Sequence, residues 1–462
     1  MASTTRAGLG QSLCIGMGGD TLAGTDFVDA LKVFEKDKDT EGILLIGELG
    51  GFAEMEALEW IKDYQKRDAN AKPIVALFGG VNAAPGRVMG HAGAFSVPGE
   101  PTAADKVKAF QQAGISVVNH PAKMGNAIKT ALEQAGRSTT GARAASQINQ
   151  QKRSMHTAAR RLRVPTPTTS SITNQKRNLW IRQSDAFTML RERGINASDY
   201  SGTGRKRLLA VGIDRVAKSP AIIASSGSNS MNMHEGAKFF PFNYQSGLDS
   251  SIIPEIAAHL ELSPSSTQHL PQLLKELTSI YMDKEAFLLE TSVVERLGDI
   301  KVVGARFGFD DAAFRSTKRQ ADIHALRKIS DEVPEEVEAE RDGIVYIKFA
   351  GDGNIGTLVN GAGLAMNTVD ALADAGGKAA NFLDTGGKAT SETVKKSFQA
   401  ILSDERVKTI FVNIFGGLTL GDMIANGVIL AFKELDMKVP VVVRIRGTNE
   451  AEGQKIVSIF VS

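Results

Sequence analysis

Ile410-Phe411-Val412-Asn413-Ile414-Phe415-Gly416-Gly417 is an apolar run that ends on two glycines. Near the start of the chain, Ile43-Leu44-Leu45-Ile46-Gly47-Glu48-Leu49-Gly50-Gly51 repeats it. The neighbours repeat as well. Leu13-Cys14-Ile15-Gly16-Met17-Gly18-Gly19 matches Asn381-Phe382-Leu383-Asp384-Thr385-Gly386-Gly387, and Pro73-Ile74-Val75-Ala76-Leu77-Phe78-Gly79 matches Pro440-Val441-Val442-Val443-Arg444-Ile445-Arg446-Gly447. The spacing between units is nearly the same in both copies. Short apolar runs that end in glycine, with amphipathic stretches between them, read as buried parallel strands alternating with helices. Asp26 to Phe34 and Met423 to Leu435 fit such helices, and in the second Ile424, Val428, Phe432 and Leu435 share one face. The fold class is therefore α/β.

The copies differ at their openings. The C-terminal copy has an opening unit: a strand from Ile344 to Phe349, a stretch from Gly351 to Gly363, then a helix to about Asp374. The N-terminal copy begins its first strand at Leu13 and reads as having lost the opening strand and helix. Between the copies the composition changes. Arg137 to Arg163 is basic and polar and reads as a linker; Pro165-Thr166-Pro167-Thr168-Thr169-Ser170-Ser171 is a low-complexity break; Ser225 to Asn232 reads as a loop. Leu208 to Ile213 and Ile300 to Val303 are expected strands, Leu270 to Asp283 and Arg319 to Ile329 expected helices, and Glu335 to Asp342 an acidic solvated connector.

Composition removes several function classes. The 462 residues carry 54 Lys and Arg against 52 Asp and Glu, a net charge of +2, which argues against nucleic-acid binding built on charge. No apolar run reaches about 18 residues, so no membrane partner is expected, and Met1 to Gly10 lacks the apolar core of a signal peptide. The expected location is the cytoplasm. Cys14 is the one cysteine, so an internal disulfide or a CxxC pair is excluded. Lying in an apolar strand, it is expected to be buried and inert. His120, His156, His234, His259, His269 and His324 show no metal-ligand spacing, and no metal site is expected.

The glycine-rich turns carry a specific resemblance. Gly90-His91-Ala92-Gly93-Ala94, preceded by Pro85-Gly86-Arg87-Val88-Met89, resembles the active-site histidine loop of the succinyl-CoA synthetase α subunit. Residues 10 to about 135 resemble that subunit's C-terminal ligase domain, and residues 156 to 462 resemble the β subunit. The β-like stretches are Ala305-Arg306-Phe307-Gly308-Phe309-Asp310-Asp311, Gly353-Asn354-Ile355-Gly356, Val359-Asn360-Gly361-Ala362-Gly363-Leu364-Ala365-Met366 and Val412 to Gly417. The resemblance implies two flavodoxin-like parallel-sheet domains flanking a degenerate ATP-grasp-like domain. The boundaries are 1–137 for the truncated α-type domain, 138–163 for the linker, 164–340 for the ATP-grasp-like domain and 341–462 for the β-type domain.

In that family a histidine is phosphorylated by the nucleotide and passes phosphate to a carboxylate, and CoA attacks the acyl phosphate. The resemblance makes His91 that histidine and Glu48 the glutamate that orients it. A carboxylate on one imidazole nitrogen fixes the tautomer and raises the basicity of the other. Asn360 and Gly416-Gly417-Leu418-Thr419 match the family's carboxylate-substrate site. The glycine turn is expected to start a helix whose free N–H groups bind an anion. It also has a second reading, as close strand–helix packing, and Asn360 has one as a structural cap.

The departures shape the functional expectation. The family's CoA-binding Rossmann domain is absent from this sequence, and so are the strand, serine-rich turn and helix that support the phosphohistidine. Thr173 to Gly204 lacks the lysine- and glycine-rich nucleotide pattern. The Glu-Ile-Asn-Pro motif becomes Glu290-Thr291-Ser292-Val293, and Gly304 stands where the family has a second metal-ligand aspartate. Mg²⁺ prefers carboxylate oxygens. Leu420 and Gly421 replace an arginine and a cysteine, and Lys388 replaces a glycine, which implies an altered substrate and adds Lys388 to the substrate-binding set.

The expected function is ATP-independent acyl chemistry with no cofactor. It would be hydrolysis or lactone-forming cyclisation of a polyketide or other thioester or carboxyl substrate in specialised metabolism. His91 and Glu48 would act as the acid/base pair, with Gly416-Gly417 and Asn360 stabilising oxyanion charge. The partners expected are a small-molecule acyl substrate and either a second copy of the chain or a carrier protein. One alternative is a residual acyl-CoA ligase working through a phosphohistidine. The other is a non-catalytic pseudo-subunit or scaffold.

Overall fold

In the computed structural model the repeated runs become strands with the same register. β1 (Ile43–Glu48) pairs in parallel with β2 (Ile74–Gly79), Ile43 opposite Ile74. In the C-terminal copy the corresponding strands, Thr409–Gly416 and Val441–Gly447, pair with Ile410 opposite Val441. Even the entry bond recurs: the Ile43 N–H donates to Pro73 O at 2.9 Å and the Ile410 N–H to Pro440 O at 3.0 Å. The structure describes residues 2–137, 139, 179–202, 204–227, 234, 236–310, 314, 320–386, 389–417, 419–435 and 437–461. The linker apart from residue 139, the 165–171 break, most of the 225–232 loop, Leu418 and Lys388 lie outside them.

The chain divides into two compact units. One holds the described residues of Met1–Ala94, Pro101–Gln175 and Glu335–Ser462; the other holds those of Phe95–Glu100 and Lys176–Pro334. The first unit contains two sheets. β1, β2 and β3 (Ser116–Val118) form a parallel sheet in that order. The five-stranded sheet consists of β10 (Val345–Lys348), β11 (Ile355–Val359), β12 (Asn381–Asp384), β13 (Thr409–Gly416) and β14 (Val441–Gly447). Its order is β10-β12-β11-β13-β14, with β10 antiparallel and the rest parallel. The chain therefore winds outward in both directions from β11 and β13. In open sheets of this kind the crevice beyond the carboxyl ends of those strands is where ligands bind.

The second unit is an antiparallel sheet of six strands: β4 (Leu179–Trp180), β5 (Arg207–Asp214), β6 (Ser219–Ser225), β7 (Lys238–Pro241), β8 (Ala286–Arg296) and β9 (Asp299–Phe309). They are ordered β4-β9-β8-β5-β6-β7. The helix Leu270–Asp283 lays Leu270, Leu273, Leu274, Leu277 and Ile280 into its core, a three-and-four spacing that forms one stripe on a helix.

Several expectations change. The opening strand of the C-terminal copy is Ile355–Val359, while the run at 344–349 forms the antiparallel edge strand β10. Parallel sheets commonly carry such an edge. Leu13-Cys14-Ile15 forms no strand, and Cys14 is exposed rather than buried. The reason is pairing: its counterpart β12 takes its ladder from β11 and β10. The N-terminal sheet has no strand equivalent to β11 beside it, and a strand without a neighbour leaves its backbone groups unpaired. The acidic connector at 335–342 is a helix, Pro334–Arg341, whose Glu336 is buried. Its carboxylate accepts from Arg87 Nη2 at 2.6 Å and from the Lys348 N–H at 3.0 Å. At 319–329 the helix is only Ala321–Ala325.

Within the first unit the two copies are joined by the helix Ala362–Asp374. It buries Ala362, Ala365, Met366, Asn367 and Val369, and Leu49, Met89 and Ala94 pack on it beside Val359 and Phe382. The buried carboxylate of Asp370 accepts from the backbone N–H groups of Gly80 at 2.8 Å, Val81 at 3.2 Å and Asn82 at 2.7 Å. It also accepts from Asn82 Nδ2 at 2.9 Å. Gly80 has φ +89°, and a Cβ there would stand 2.5 Å from a Leu49 methyl, so the turn after β2 requires glycine.

Candidate functional site

Glu48 is the last residue of β1, and the turn behind it is held from below. The ammonium of Lys106, fully buried, donates to Glu48 O at 2.9 Å, Gly50 O at 2.8 Å and Glu54 Oε2 at 2.5 Å. The other oxygen of Glu54 accepts from the Glu48 N–H at 3.0 Å. A buried charge is tolerable only when paired and hydrogen-bonded in this way. The network fixes the backbone from which the Glu48 side chain reaches His91.

His91 sits in the long loop after β2. Its Nε2 stands 3.3 Å from Glu48 Oε1, and its Nδ1 stands 2.9 Å from the carbonyl oxygen of Gly19. The same carbonyl accepts from the Gly93 N–H at 3.1 Å. Space is tight: a Cβ on Gly19 would stand 2.8 Å from His91 Nδ1, and one on Gly93 would stand 2.7 Å from Gly19 O. Both ring nitrogens face acceptors, so both are best satisfied as donors, which favours the imidazolium. The Glu48 carboxylate accordingly raises the His91 pKa above its ordinary value, against the opposing effect of burial, with smaller upward contributions from the Gly19 carbonyl and from Asp384.

The sign of the consequence follows from linkage. A histidine whose folded pKa is raised contributes stability that is fully present below its ordinary value of 6.5 and is lost as pH rises through the folded value. Replacing Glu48 by glutamine removes the largest upward contribution. In Glu48→Gln the fall of any His91-dependent activity on the alkaline side should therefore move to lower pH. A pH–rate profile measures this, and an unmoved alkaline limb would show that Glu48 does not govern the ring.

Asn360 and the glycine turn behave differently from expectation. Asn360 follows β11, and its amide clamps the end of β13. Its Nδ2 donates to Phe415 O at 2.9 Å and to Thr419 Oγ1 at 3.3 Å, and its Oδ1 accepts from the Phe415 N–H at 2.9 Å. Both amide hydrogens are engaged inside the fold, which favours the capping reading over ligand contact. Gly416 pairs with Gly447, and a Cβ on it would stand 2.8 Å from Thr419 O and from Thr448 N. The glycine is required by packing. The helix that follows runs Gly421–Glu434, so the turn does not itself start it, and the Gly421 N–H is taken by Thr448 O at 2.9 Å. Around Gly417 the space is open.

One residue of the site was not picked out from the sequence. Asp384, the last residue of β12, is 1% exposed. Its signal was visible only as the end of a strand before Gly386. In the second unit, Ser292 and Gly304 stand opposite each other on β8 and β9, with Ser292 Oγ 3.1 Å from where a Gly304 Cβ would lie. A cavity of about 550 Å³ lies over them, lined also by Gln183, Asp199, Tyr200 and Lys206. The two positions converge as metal ligands would, yet they offer one hydroxyl and a hydrogen, a set that does not fit Mg²⁺. Among the described residues no group of three or more His, Cys, Asp or Glu side chains could hold a metal ion. Glu290 is paired with His234 at 3.2 Å. No helix among the described residues is long and apolar enough to cross a membrane.

Comparison with known proteins can now be set beside this geometry. The CoA-ligase family model matches residues 1–116 and 358–458, which carry β1 and β2 of the first sheet and β12 to β14 of the second. The chain is 46% identical over 204 residues to the ADP-forming succinate–CoA ligase subunit beta of a Nitratiruptor species, covering 44% of this chain and 51% of that one. It is 39% identical over 269 residues to the mitochondrial subunit beta of Saccharomyces cerevisiae, covering 55% and 61%. The chain thus spans about half to three fifths of these relatives' lengths. Among solved structures, ATP citrate lyase from Methanothrix soehngenii in complex with citrate and coenzyme A matches at TM-score 0.39 and 15% identity, over 60% of this chain and 75% of that one. The chain is thus similar to CoA ligases over two segments and to succinate–CoA ligase β subunits over about half of its length, which supports kinship with the succinyl-CoA synthetase family.

Proposed function

We propose that the chain carries out CoA-ligase-type acyl chemistry at His91 without a nucleotide step of its own. The substrate class is a thioester or other carboxyl-derived acyl group, cleaved by hydrolysis or closed to a lactone; a polyketide chain fits that class. One observation carries the reading: the His91 imidazole is held between the Glu48 carboxylate and the Gly19 carbonyl. Held this way, the ring enters the reaction protonated. The Nε2 proton, whose 3.3 Å contact with Glu48 is the longer of the two, passes to the departing thiolate or alkoxide as that contact is exchanged, and Nε2 takes one from the attacking water or hydroxyl, so that the ring ends as it began. Asn360 supports the site as a clamp, because its donors are spent.

In this reading the two parallel sheets are flavodoxin-like domains, and the antiparallel unit is a degenerate ATP-grasp-like domain. The winding of β11 to β14 supports the first assignment. The unsuitable pair Ser292 and Gly304 supports the absence of a metal–nucleotide step. The relatives are subunits by name, which supports assembly with a second chain. A second reading has its own support. The retained His91–Glu48 pair also suits a phosphohistidine, and the relatives are ADP-forming ligases by name.

The test mixes the purified chain with a panel of acyl thioesters in the absence of nucleotide, and separately with Mg-ATP carrying labelled γ-phosphate. Release of free thiol without nucleotide, and no label on the protein, is the expected result. Acid-labile label on His91 together with thioester turnover only when ATP is present would replace the proposal with the ligase reading.

A further inference from the structure

The proposed reaction leaves one buried acid at the site unused. Oδ1 of Asp384 accepts from the Gly361 N–H at 2.6 Å and the Gly386 N–H at 2.7 Å, which fixes the plane of the carboxyl group. Oδ2 is buried and, among the described residues, accepts no hydrogen bond. It lies 3.7 Å from the point where a Cβ on Gly90 would stand. Gly90 immediately precedes His91, has φ +92°, and could carry no Cβ, since that atom would stand 2.3 Å from the Ala362 methyl. The close approach of the histidine loop to Asp384 is therefore built into both backbones. A buried oxygen left without a donor is costly, and a fold keeps one where it serves a charge nearby.

We propose that Asp384 is a positioning residue for His91, supplying from the C-terminal copy a second counter-charge that keeps the imidazole protonated and its loop in place. This rests on the reading of His91 as the working group. Among the described residues the charged groups that act on the ring are Glu48 at the end of β1, which contacts Nε2, and Asp384 at the end of β12, beside Gly90. Burial raises the pKa of Asp384, while the Gly386 and Gly361 amides and His91 pull it back. Two groups coupled in this way titrate as a pair. The sequence that built a parallel sheet twice thus places an acid at the end of one strand in each half, one against the His91 ring and the other beside the glycine that precedes it.

The test follows the His91 Cε1–H signal by NMR in the full chain. In Asp384→Asn the His91 pKa should fall measurably, the direction expected on loss of a nearby opposite charge. A folded Asp384→Asn protein with an unmoved His91 titration would overturn the proposal, because a merely structural role moves stability and leaves the ring alone. If that variant does not fold, the unsubstituted protein carries the test. The amide ¹⁵N shifts of Gly361 and Gly386, bonded to Asp384, should inflect at the His91 pKa and lose that inflection in His91→Gln. No inflection overturns the proposal. None of these readouts depends on turnover, so a shifted titration without activity removes the acyl-chemistry reading and leaves the pairing of Asp384 with His91 standing.

Discussion

Asp370→Ala should lower the stability of the sheet-bearing unit by roughly 3–5 kcal/mol, because each buried donor stripped of its acceptor costs about 1–3 kcal/mol. Four N–H donors converge on this one carboxylate: three consecutive backbone amides, from Gly80, Val81 and Asn82, and the Asn82 side chain. Alanine leaves all four without the acceptor, and the Gly80 amide lies in a fully buried contact. Water can reach the others in part, which keeps the cost below the sum of four full penalties. The helix Ala362–Asp374 then loses its polar anchor to the turn after β2 and keeps apolar packing against Leu49 and Met89 and the exposed bond between Asp374 and Asn119. Urea denaturation followed by tryptophan fluorescence, with Trp60 as the reporter in this unit, gives the midpoint. Asp374→Ala is the comparison: its single exposed bond to Asn119 should be nearly neutral. Equal midpoints for Asp370→Ala and the unsubstituted chain would mean that the two copies are not joined through this carboxylate.

His91→Ala should reduce nucleotide-independent thioester turnover by about 10²–10⁴-fold, the range for loss of a positioned acid/base group. The ring is partly exposed and lies on a loop, so the fold should survive, and circular dichroism checks that it does. Glu48→Gln in a His91→Ala background should add almost nothing, since a residue that acts through the ring has nothing left to act on. If the double variant loses a further tenfold, Glu48 has a role of its own, as a base in its own right. Turnover that survives His91→Ala would remove the proposed mechanism.

Much of the architecture was legible because it is written twice. The runs at 43–51 and 73–79 and their later counterparts adopt one register, Ile43 against Ile74 and Ile410 against Val441. What failed was pairing that depends on absent neighbours. Leu13-Cys14-Ile15 has the pattern of a strand, and nothing local tells that no described strand lies beside it. The misplacement of the opening strand has the same origin: Ile344 to Phe349 and Ile355 to Val359 are both short apolar runs, and only the sheet decides which is central and which is edge.

At the site, His91 and Glu48 came from the resemblance carried by the Gly90-to-Ala94 loop, and the structure places their side chains 3.3 Å apart. Asn360 and Gly416 were readable as positions but not as roles. The side-chain amide that looks free in the sequence is spent on the Phe415 backbone, and the glycine that looks like an anion cradle is needed for the approach of Gly447. Asp384 escaped notice because its importance comes from the helix Ala362–Asp374, which brings Gly90 and the C-terminal copy together. No periodicity within either segment encodes that meeting.

Titration of the His91 ring by NMR in the intact chain tests the core of the account most directly. A protonated ring held between the Glu48 carboxylate and the Gly19 carbonyl must titrate above 6.5, the ordinary histidine value. A value at or below 6.5, or a ring whose titration ignores Glu48→Gln, would contradict it.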